Sequence, residues 1–571
     1  VNSNDPEIGE SGGYGQFAVG NYGRVEGEGA VNLPISDTFA IRAAGIYRDR
    51  DTYYTDVGPF NNQAGRLEEI GGRLGFLWTP GQFEAKLKLQ VHNRETGGFA
   101  YRPAAGTVFA PFRVGDEYTL SYDAPTSQEE QSFQAALELD YEFENGVTLR
   151  SLSGYQDKRN EYYQDADATQ VPLSPVGGFV VDYLADEEKF SQEINLISPT
   201  DGKLNWIVGG YYQTTDIVVD YVQLSPPPSV AFYPRQENDV YGLFAHGRYR
   251  LVDNIELELG ARYSGYDGSG TGNIIVGEGL PGFPPGGLVV GDLSGSHDDS
   301  RMTGKAGINW YLDDDNLVYG FVARGYKPGG FNTVTSEFAP ETVLDYELGW
   351  KSTLADGRLR VQADVFYSDY QDFQFDVMEP STGVTAINNI GSATIKGFEL
   401  QLQGQFGGFG FDAGVGYVDS DLDGATFINV TQLPPGQLGP QCPAGIPSMP
   451  PLCFDYGPFF ISTSGGPNLY SPEWTFNAGV EYMFQIGNAE LTPRLNYGYM
   501  GSQWTYLAYG LYDRIDSRDV LSGLLTLNLG QWFVQAYGTN LTDETYVTGR
   551  SGDNEFYGAP REYGLRVGVS F

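Results

Sequence analysis

The segment FELQLQGQ at Phe398 to Gln405 alternates apolar and polar side chains position by position. Successive side chains of an extended chain point to opposite faces, so this segment predicts a β-strand with one apolar face and one polar face. The same alternation recurs in Phe83 to Val91, in Phe133 to Phe143 and in Tyr563 to Phe571. Period-two patterning from one end of the chain to the other predicts an all-β protein.

About 22 such segments follow one another. Their predicted starts lie near positions 14, 24, 39, 68, 83, 130, 147, 187, 204, 237, 255, 300, 317, 341, 358, 393, 409, 472, 489, 517, 532 and 561. The join after each even-numbered segment is short and rich in turn-forming residues, as in Asp201-Gly202 and Gly407-Gly408. Joins after odd-numbered segments, the first excepted, are longer, with large loops near 96–129, 267–299 and 420–471.

This alternation of short and long joins is typical of a transmembrane β-barrel, which has short turns at one end, long loops at the other and an even number of strands. Lipid also explains the alternation, because Lys or Arg on the lipid face costs about 2–4 kcal/mol at the bilayer midplane. Tryptophan rings prefer the headgroup region, and all seven lie near predicted strand ends: Trp78, Trp206, Trp310, Trp350, Trp474, Trp504 and Trp532. We therefore predict a 22-stranded antiparallel transmembrane β-barrel with its charged face toward the lumen.

Composition excludes several other classes of protein. The 571 residues include 34 Lys+Arg and 74 Asp+Glu, and the formal charge of −40 opposes binding to nucleic acid. No apolar run approaches the roughly 18 residues of a membrane-spanning helix. Cys442 and Cys453 lie in a Pro-rich stretch without His, which favours a disulfide-closed loop over a metal site and indicates an oxidising compartment.

Catalytic and metal-binding interpretations are weak. His92 and His246 lie on the polar faces of separate predicted strands, and we interpret them as lumen-lining residues. The run Asp419 to Gly424 resembles the first half of a calcium-binding loop, but the twelfth position is Val430 rather than a bidentate Glu. We interpret the run as a solvated acidic loop. The sequence predicts no enzyme, no cofactor and no metal site.

Several segments, taken together and in order, resemble the barrel of TonB-dependent outer-membrane receptors over essentially the whole chain. They are GGYGQFAVGNYGRVEGEGAVNLP from Gly12, VARGYKPGGFN from Val322, ELGWKSTLADGRLRVQADVFYSDYQDF from Glu347, IKGFELQL from Ile395, PNLYSPEWTFNAGVEY from Pro467, NLTDETY from Asn540 and GAPREYGLRVGVSF from Gly558. The resemblance implies the outer membrane of a Gram-negative bacterium, with surrounding lipid and lipopolysaccharide. It also implies a TonB-type energy transducer acting through a plug, and import of a scarce bulky nutrient, in the commonest case a ferric siderophore.

In that family the plug precedes the barrel. We expect residues 1–13 to be a leader into a barrel formed by 14–571, and we expect the plug to be cut off, left out of this sequence or supplied as a separate polypeptide. Alternatives to siderophore uptake are import of a glycan or an aromatic metabolite, passive diffusion through the barrel, and a structural or adhesive surface role.

Aromatic and cationic residues alternate in the predicted outer loops. Rings offer flat apolar surfaces, and Arg offers a forked donor for carboxylate or catecholate oxygens. These residues are our candidates for contact with a small-molecule or chelate ligand: Tyr101, Arg102, Tyr326, Lys327, Phe331, Asn332, Tyr546 and Arg550. Whether the cations among them converge depends on how the loops pack.

Overall fold

The computed structural model describes residues 4–107, 109–170, 179–224, 228–333, 336–379, 384–433, 441–449, 453–463 and 465–571. Twenty-two antiparallel strands form a closed barrel, which confirms the predicted fold class. Strands β1 to β22 are, in order, Gly12–Gly20, Val25–Ser36, Phe39–Arg50, Leu67–Trp78, Phe83–Thr96, Ser127–Glu142, Thr148–Asp165, Val180–Ile197, Leu204–Gln223, Arg235–Val252, Ile255–Thr271, Gly295–Asp313, Asn316–Lys327, Glu341–Leu354, Leu359–Gln371, Ser392–Phe406, Phe409–Asp423, Trp474–Tyr482, Ala489–Met500, Arg518–Leu529, Trp532–Thr539 and Glu562–Ser570.

The barrel closes where its first and last strands meet. β1 pairs with β2 on one side and with β22 on the other, in a register that sets Tyr14 opposite Ser570 and Gly20 opposite Gly564. Closure gives every barrel strand a neighbour on both sides, as lipid requires of a membrane-spanning sheet.

Short and long connections alternate along the chain as predicted. The joins after even-numbered strands are 37–38, 79–82, 143–147, 198–203, 253–254, 314–315, 355–358, 407–408, 487–488 and 530–531. The joins after odd-numbered strands are 21–24, 51–66, 97–126, 166–179, 224–234, 272–294, 328–340, 372–391, 424–473, 501–517 and 540–561. Glycines permit the tight turns, since Gly407 and Gly530 have φ of 63° and 64°.

The outer loops contain short elements of their own. Their strands are Thr55–Asp56, Arg102–Pro103, Thr119–Leu120, Val230–Phe232, Asn273–Val276, Leu288–Asp292, Gly330–Thr333, Ser336–Phe338, Gln374–Glu379, Val384–Asn389, Ala425–Ile428, Phe460–Thr463, Gln503–Trp504, Arg514–Ile515, Val547–Ser551 and Asn554–Tyr557. Their 3-10 helices are Ala110–Phe112, Val430–Gln432 and Gly457–Phe459. At the opposite end, Phe484–Ile486 prolongs β18.

Two strands begin five to seven residues earlier than their sequence pattern predicts. β8 begins at Val180 rather than near 187, and β12 begins at Gly295 rather than near 300. Only about 9–11 residues of a tilted strand are needed to cross the bilayer, whereas β8 has 18. Outside the bilayer both faces of β8 carry acidic residues, including Glu187 and Glu188, so the apolar alternation ends before the strand does.

The outward face of the barrel is apolar and exposed. Leu243, Leu259 and Leu348 are 68%, 64% and 57% exposed, which is unusual for leucine in a soluble protein. Trp78 and Trp532 are also exposed, at the tight-turn ends of their strands. Hydrocarbon therefore solvates this face. No helix in the described part of the chain is long and apolar enough to cross a membrane.

The lumen face is lined by paired charges. The His92 ring lies 2.8 Å from a Glu69 oxygen, and the His246 ring lies 2.9 Å from a Glu258 oxygen. Each histidine thus pairs with a glutamate on a neighbouring strand, as expected of ordinary lining residues.

A second lumen group contains three carboxylates. Atoms of Glu84, Glu138 and Asp140 lie within 4.8 Å of one another. Lys86 pairs with Glu84 at 2.8 Å, and Arg150 donates to Asp140 at 2.8 Å. Two cations thus pair with the three carboxylates of this group.

Residues 4–11 lie against the lumen wall at the tight-turn end, and residues 1–3 of the predicted leader fall outside the described residues. Asp5 forms ion pairs with Lys86 and Lys88. The Asn32 side chain accepts the Glu7 N–H at 2.9 Å and donates to the Glu10 carbonyl at 2.7 Å. The strands β2 and β5 thus fix this segment inside the barrel.

Replacing Leu348 with arginine tests the lipid-facing assignment. Leu348 is outward on β14, whereas Gln401 is on the opposite, lumen-facing side of the sheet on β16. Leu348→Arg is expected to lower the free energy of unfolding in lipid vesicles by about 2–4 kcal/mol, and Gln401→Arg is expected to change it little. Urea titration of both variants measures the difference, and equal effects would contradict the assignment.

Candidate functional site

The outer loops after β3, β5 and β21 pack together into what we term the first loop block, residues 51–66, 97–126 and 540–561. Thr55–Asp56 pairs in parallel with Thr119–Leu120, and Arg102–Pro103 pairs with Asn554–Tyr557. Tyr54, Leu120 and Tyr122 are buried in its apolar core. This block is folded and can hold side chains in fixed positions.

Three arginines of the first loop block surround one buried glutamate, and we call this group the arginine cluster. The Glu555 side chain is 3% exposed and pairs with Arg113 and, at 3.4 Å, with Arg550. Arg102 lies opposite Glu555 in the register of two paired strands. Its guanidinium donates to the Val114 carbonyl at 3.0 Å. Two guanidiniums thus share the Glu555 carboxylate, and a third lies on the adjacent strand.

Burial disfavours the charged form of two arginines in this cluster, while nearby carboxylates such as Glu117 and Asp513 favour it. Burial, with repulsion from Arg102 and Arg550, lowers the pKa of Arg113. Burial also lowers the pKa of Arg550, whose Nε is buried without a hydrogen-bond partner among the described residues. Arginine nevertheless stays protonated near neutral pH. The cluster is therefore a local cationic site on a strongly acidic chain.

Tyrosines border the arginine cluster. The Tyr557 hydroxyl donates to Glu555 at 2.6 Å, and the Tyr118 hydroxyl donates to the Gly558 carbonyl at 2.9 Å. Burial raises the pKa of Tyr54 to about 12 and also raises the pKa of Tyr118 and of Tyr557. These phenols remain protonated and can act as donors.

Four of the eight predicted ligand residues lie in the first loop block. Tyr101 is buried and donates its hydroxyl to the Asp165 carbonyl at 2.7 Å, so its side chain holds the block together. Arg102 and Arg550 belong to the arginine cluster. Tyr546 lies nearby, with the Arg518 guanidinium 5.1 Å from its ring centre.

The other four predicted residues lie elsewhere on the rim. Tyr326 and Lys327 end β13, and Phe331 and Asn332 lie on the hairpin that follows. Asn332 donates to the Ile387 carbonyl at 2.8 Å and accepts its N–H at 3.2 Å, which ties two loops together. The structure does not bring this group to the arginine cluster.

Sequence reasoning did not identify Arg113, Glu555 or Tyr557. Arg113 follows Phe112, and Glu555 precedes Phe556 and Tyr557, so the aromatic–cation alternation used for the other loops could have pointed to both segments. Glu555 carried no separate signal, because its importance comes from burial between two loops that are distant in sequence.

Aromatic rings continue from the first loop block along the lumen wall. Phe99 contacts Tyr162 edge to face at 5.1 Å between ring centres, and Tyr162 stacks on Tyr183 at 4.5 Å. Tyr221 lies opposite Tyr183 in the strand register and contacts Phe232 at 5.5 Å. This aromatic row crosses β7, β8 and β9 at the outer mouth, with its rings half-buried.

A second loop block forms on the other side of the mouth from residues 372–391, 424–473 and 501–517, as far as they are described. Ile390, Leu422, Phe427 and Leu507 are buried in it. Cys442 and Cys453 form a disulfide, with their Cα atoms 4.8 Å apart.

Side chains join the two loop blocks. The Tyr470 hydroxyl donates to the Arg550 carbonyl at 2.6 Å, next to the arginine cluster.

Asp419, which we expected to lie in a solvated loop, is instead on β17, where it pairs with Lys396 at 3.1 Å. The period-two spacing of the acidic residues in this run places them on one face of a strand.

A closed barrel with an apolar outward face, tight turns at one end and long folded loops at the other has the architecture of an outer-membrane barrel. Residues 82–542 match the family model described as TonB dependent receptor-like, beta-barrel. The chain belongs to this family, whose barrels lie in the outer membrane of Gram-negative bacteria.

Two curated relatives are receptors. The chain is 25% identical to the pesticin receptor of Yersinia enterocolitica over 281 residues, which are 47% of this chain and 38% of that protein. It is 26% identical to the ferric-pyoverdine 358 receptor of Pseudomonas putida over 343 residues, 58% of this chain and 35% of that protein. The chain thus covers less than half the length of these relatives.

Solved structures show the same fold. The ferric yersiniabactin uptake receptor FyuA from Yersinia pestis superposes with a TM-score of 0.79 and 17% identity, over 100% of this chain and 81% of that one. The siderophore receptor PiuA from Acinetobacter baumannii superposes with a TM-score of 0.78 and 15% identity, over 100% and 82%.

Asp165 connects the loops of the first block and makes them sensitive to pH. Its carboxylate is fully buried and accepts the N–H groups of Asp123, Ala124 and Ala168 at 2.6, 3.2 and 2.9 Å. Burial, with repulsion from Asp167, raises the pKa of Asp165 to about 8. The folded state therefore prefers the protonated acid.

The pH dependence of the first loop block follows from this shift. In the unfolded chain aspartate has a pKa of about 4. The stabilisation of the loop block that depends on protonated Asp165 is therefore fully present below that pH and is lost as pH rises through about 8. The protection factors of amides 119–124, which are exchange rates corrected for the intrinsic base-catalysed rate, should fall over this range in the native chain. Asp165→Asn should flatten the profile and Asp116→Asn should not. An unchanged profile in Asp165→Asn would contradict the assignment.

Proposed function

We propose that this barrel imports a ferric siderophore across the outer membrane. The observation that carries the proposal is the pairing of Arg113 and Arg550 with the buried Glu555, with Arg102 on the adjacent strand, in the outer loops. Ferric chelates with carboxylate or catecholate oxygens are commonly anionic, and a chain with a formal charge of −40 repels anions unless it provides a local cationic site.

The geometry suits recognition rather than bond chemistry. Guanidiniums can donate several charge-assisted hydrogen bonds to one chelate. The neighbouring aromatic row offers apolar surface to the rest of such a ligand. Two matched relatives support this assignment, since one is named as a ferric-pyoverdine receptor and one solved structure as a ferric yersiniabactin uptake receptor.

Transport would then pass through the lumen. In this proposal a plug fills the lumen, and a TonB-type transducer acting on that plug supplies the energy for release. The charged and polar side chains of the wall, such as Arg150 with Asp140 and His246 with Glu258, suit a polar occupant.

Arg550→Gln and Arg113→Gln test the binding site. Each removes a charge-assisted hydrogen-bond donor, which corresponds to about 1.5–3 kcal/mol or about 10- to 100-fold in affinity. Binding of ferric tris-catecholate and ferric hydroxamate complexes to the purified chain in detergent, followed by tryptophan fluorescence, measures the loss.

Arg561→Gln is the matched control. Arg561 lies in the same loop, where it pairs with Asp543 at 3.3 Å and both side chains are half exposed. It should retain native affinity. Unchanged affinity in both cluster variants, or an equal loss in Arg561→Gln, would contradict the assignment of the arginine cluster.

A further inference from the structure

A small sheet outside both loop blocks leaves one strand edge open. Leu288–Asp292 pairs antiparallel with Asn273–Val276, which pairs with Val230–Phe232. Val230–Phe232 in turn extends the sheet from the end of β9. On its other side, Leu288–Asp292 pairs with no strand in the described part of the chain.

The open strand is apolar and exposed. Leu288, Val289 and Val290 are 52%, 58% and 55% exposed, similar to the lipid-facing residues of the barrel. Lipid tails do not reach them, however. β11 has 17 residues, of which about 9–11 cross the bilayer. Because each residue of a strand adds about 3.3 Å, the part of β11 outside the bilayer places this small sheet on the order of 10 Å beyond the hydrocarbon.

Natural sheet edges are normally protected by lysine, proline or strong twist, because an open edge recruits other strands. The sequence LVVGD has neither lysine nor proline. A register shift between Ile274 and Ile275 bends the hairpin locally. The backbone groups of the outer side are otherwise available for pairing.

Acidic residues predominate around this edge, and Arg235 lies at its base opposite Thr271. Glu278 and Asp292 are exposed at its two ends, and residues 263–300 contain no Lys or Arg. Below them, Asp239, Asp267 and Asp298 lie directly opposite one another across β10, β11 and β12. Like charges in facing positions are unfavourable, so an approaching cationic group relieves their repulsion.

We propose that Leu288–Asp292 is a docking edge for an extended, basic segment of a partner protein at the cell surface. Main-chain hydrogen bonds add the segment as a further strand, apolar side chains of the segment cover Leu288, Val289 and Val290, and flanking Lys or Arg pair with the carboxylates. The acidic residues around this edge favour a basic partner over the two alternatives. A second copy of this chain would place acid against acid, and the phosphates of lipopolysaccharide are repelled for the same reason.

A labelled synthetic peptide, Lys-Lys-Thr-Val-Ile-Val-Thr-Lys-Lys, tests the proposal by fluorescence anisotropy with the purified chain in detergent. Saturable binding is expected. Val289→Lys, which gives the edge a lysine, should weaken binding about tenfold or more. Leu511→Lys is the control, because Leu511 is 87% exposed in a loop and lies outside any strand. It should leave binding unchanged.

Peptide variants keep the test independent of how Val289→Lys folds. Methylation of alternate backbone nitrogens blocks main-chain pairing but keeps the side chains, and it should abolish binding to the native chain. Replacing the lysines by glutamates should do the same. Absence of binding, or equal binding of the methylated peptide, would overturn the proposal. So would a native dimer in sedimentation that Val289→Lys dissociates, because a second copy would then be the occupant.

Discussion

Pairing of every backbone N–H and C=O without help from water is the constraint on which the rest of the structure depends. Within hydrocarbon an unpaired backbone group costs several kcal/mol, so a sheet can cross the bilayer only when it closes. Here closure comes from β1 and β22, whose register sets Tyr14 opposite Ser570. Once the sheet is closed, alternation sends apolar side chains outward into lipid and charged ones inward, and the connections divide into tight turns and long loops.

The long loops can then fold as separate units above the membrane. The first loop block owes its rigidity to buried aromatic residues and to Asp165, and it holds three arginines around Glu555. Burial makes that arrangement effective, since a guanidinium removed from water interacts more strongly with an anionic ligand than an exposed one. A barrel of strongly negative charge thereby gains one site suited to anions.

The strands could be predicted from the sequence because their cause is local. Period-two alternation placed the start of β16 near 393 and that of β21 at 532, against 392 and 532 in the structure. The error at β8 arose where the strand leaves lipid and its outward face no longer has to be apolar. The arginine cluster could not be predicted, because Arg113 and Glu555 are 442 positions apart and meet through loop packing. Tyr101 looked like an exposed ring in the sequence, and only the fold shows that it is buried.

Solvation of the outward face by lipid is most directly measured by site-directed spin labelling along β16 in reconstituted vesicles. Labels at positions 398 to 403 would be compared for collision with oxygen, which partitions into lipid, and with a water-soluble nickel chelate. The account predicts high oxygen accessibility at 398, 400 and 402 and high nickel accessibility at 399, 401 and 403. Equal accessibility along the strand, or protection of both sets from both reagents, would contradict it.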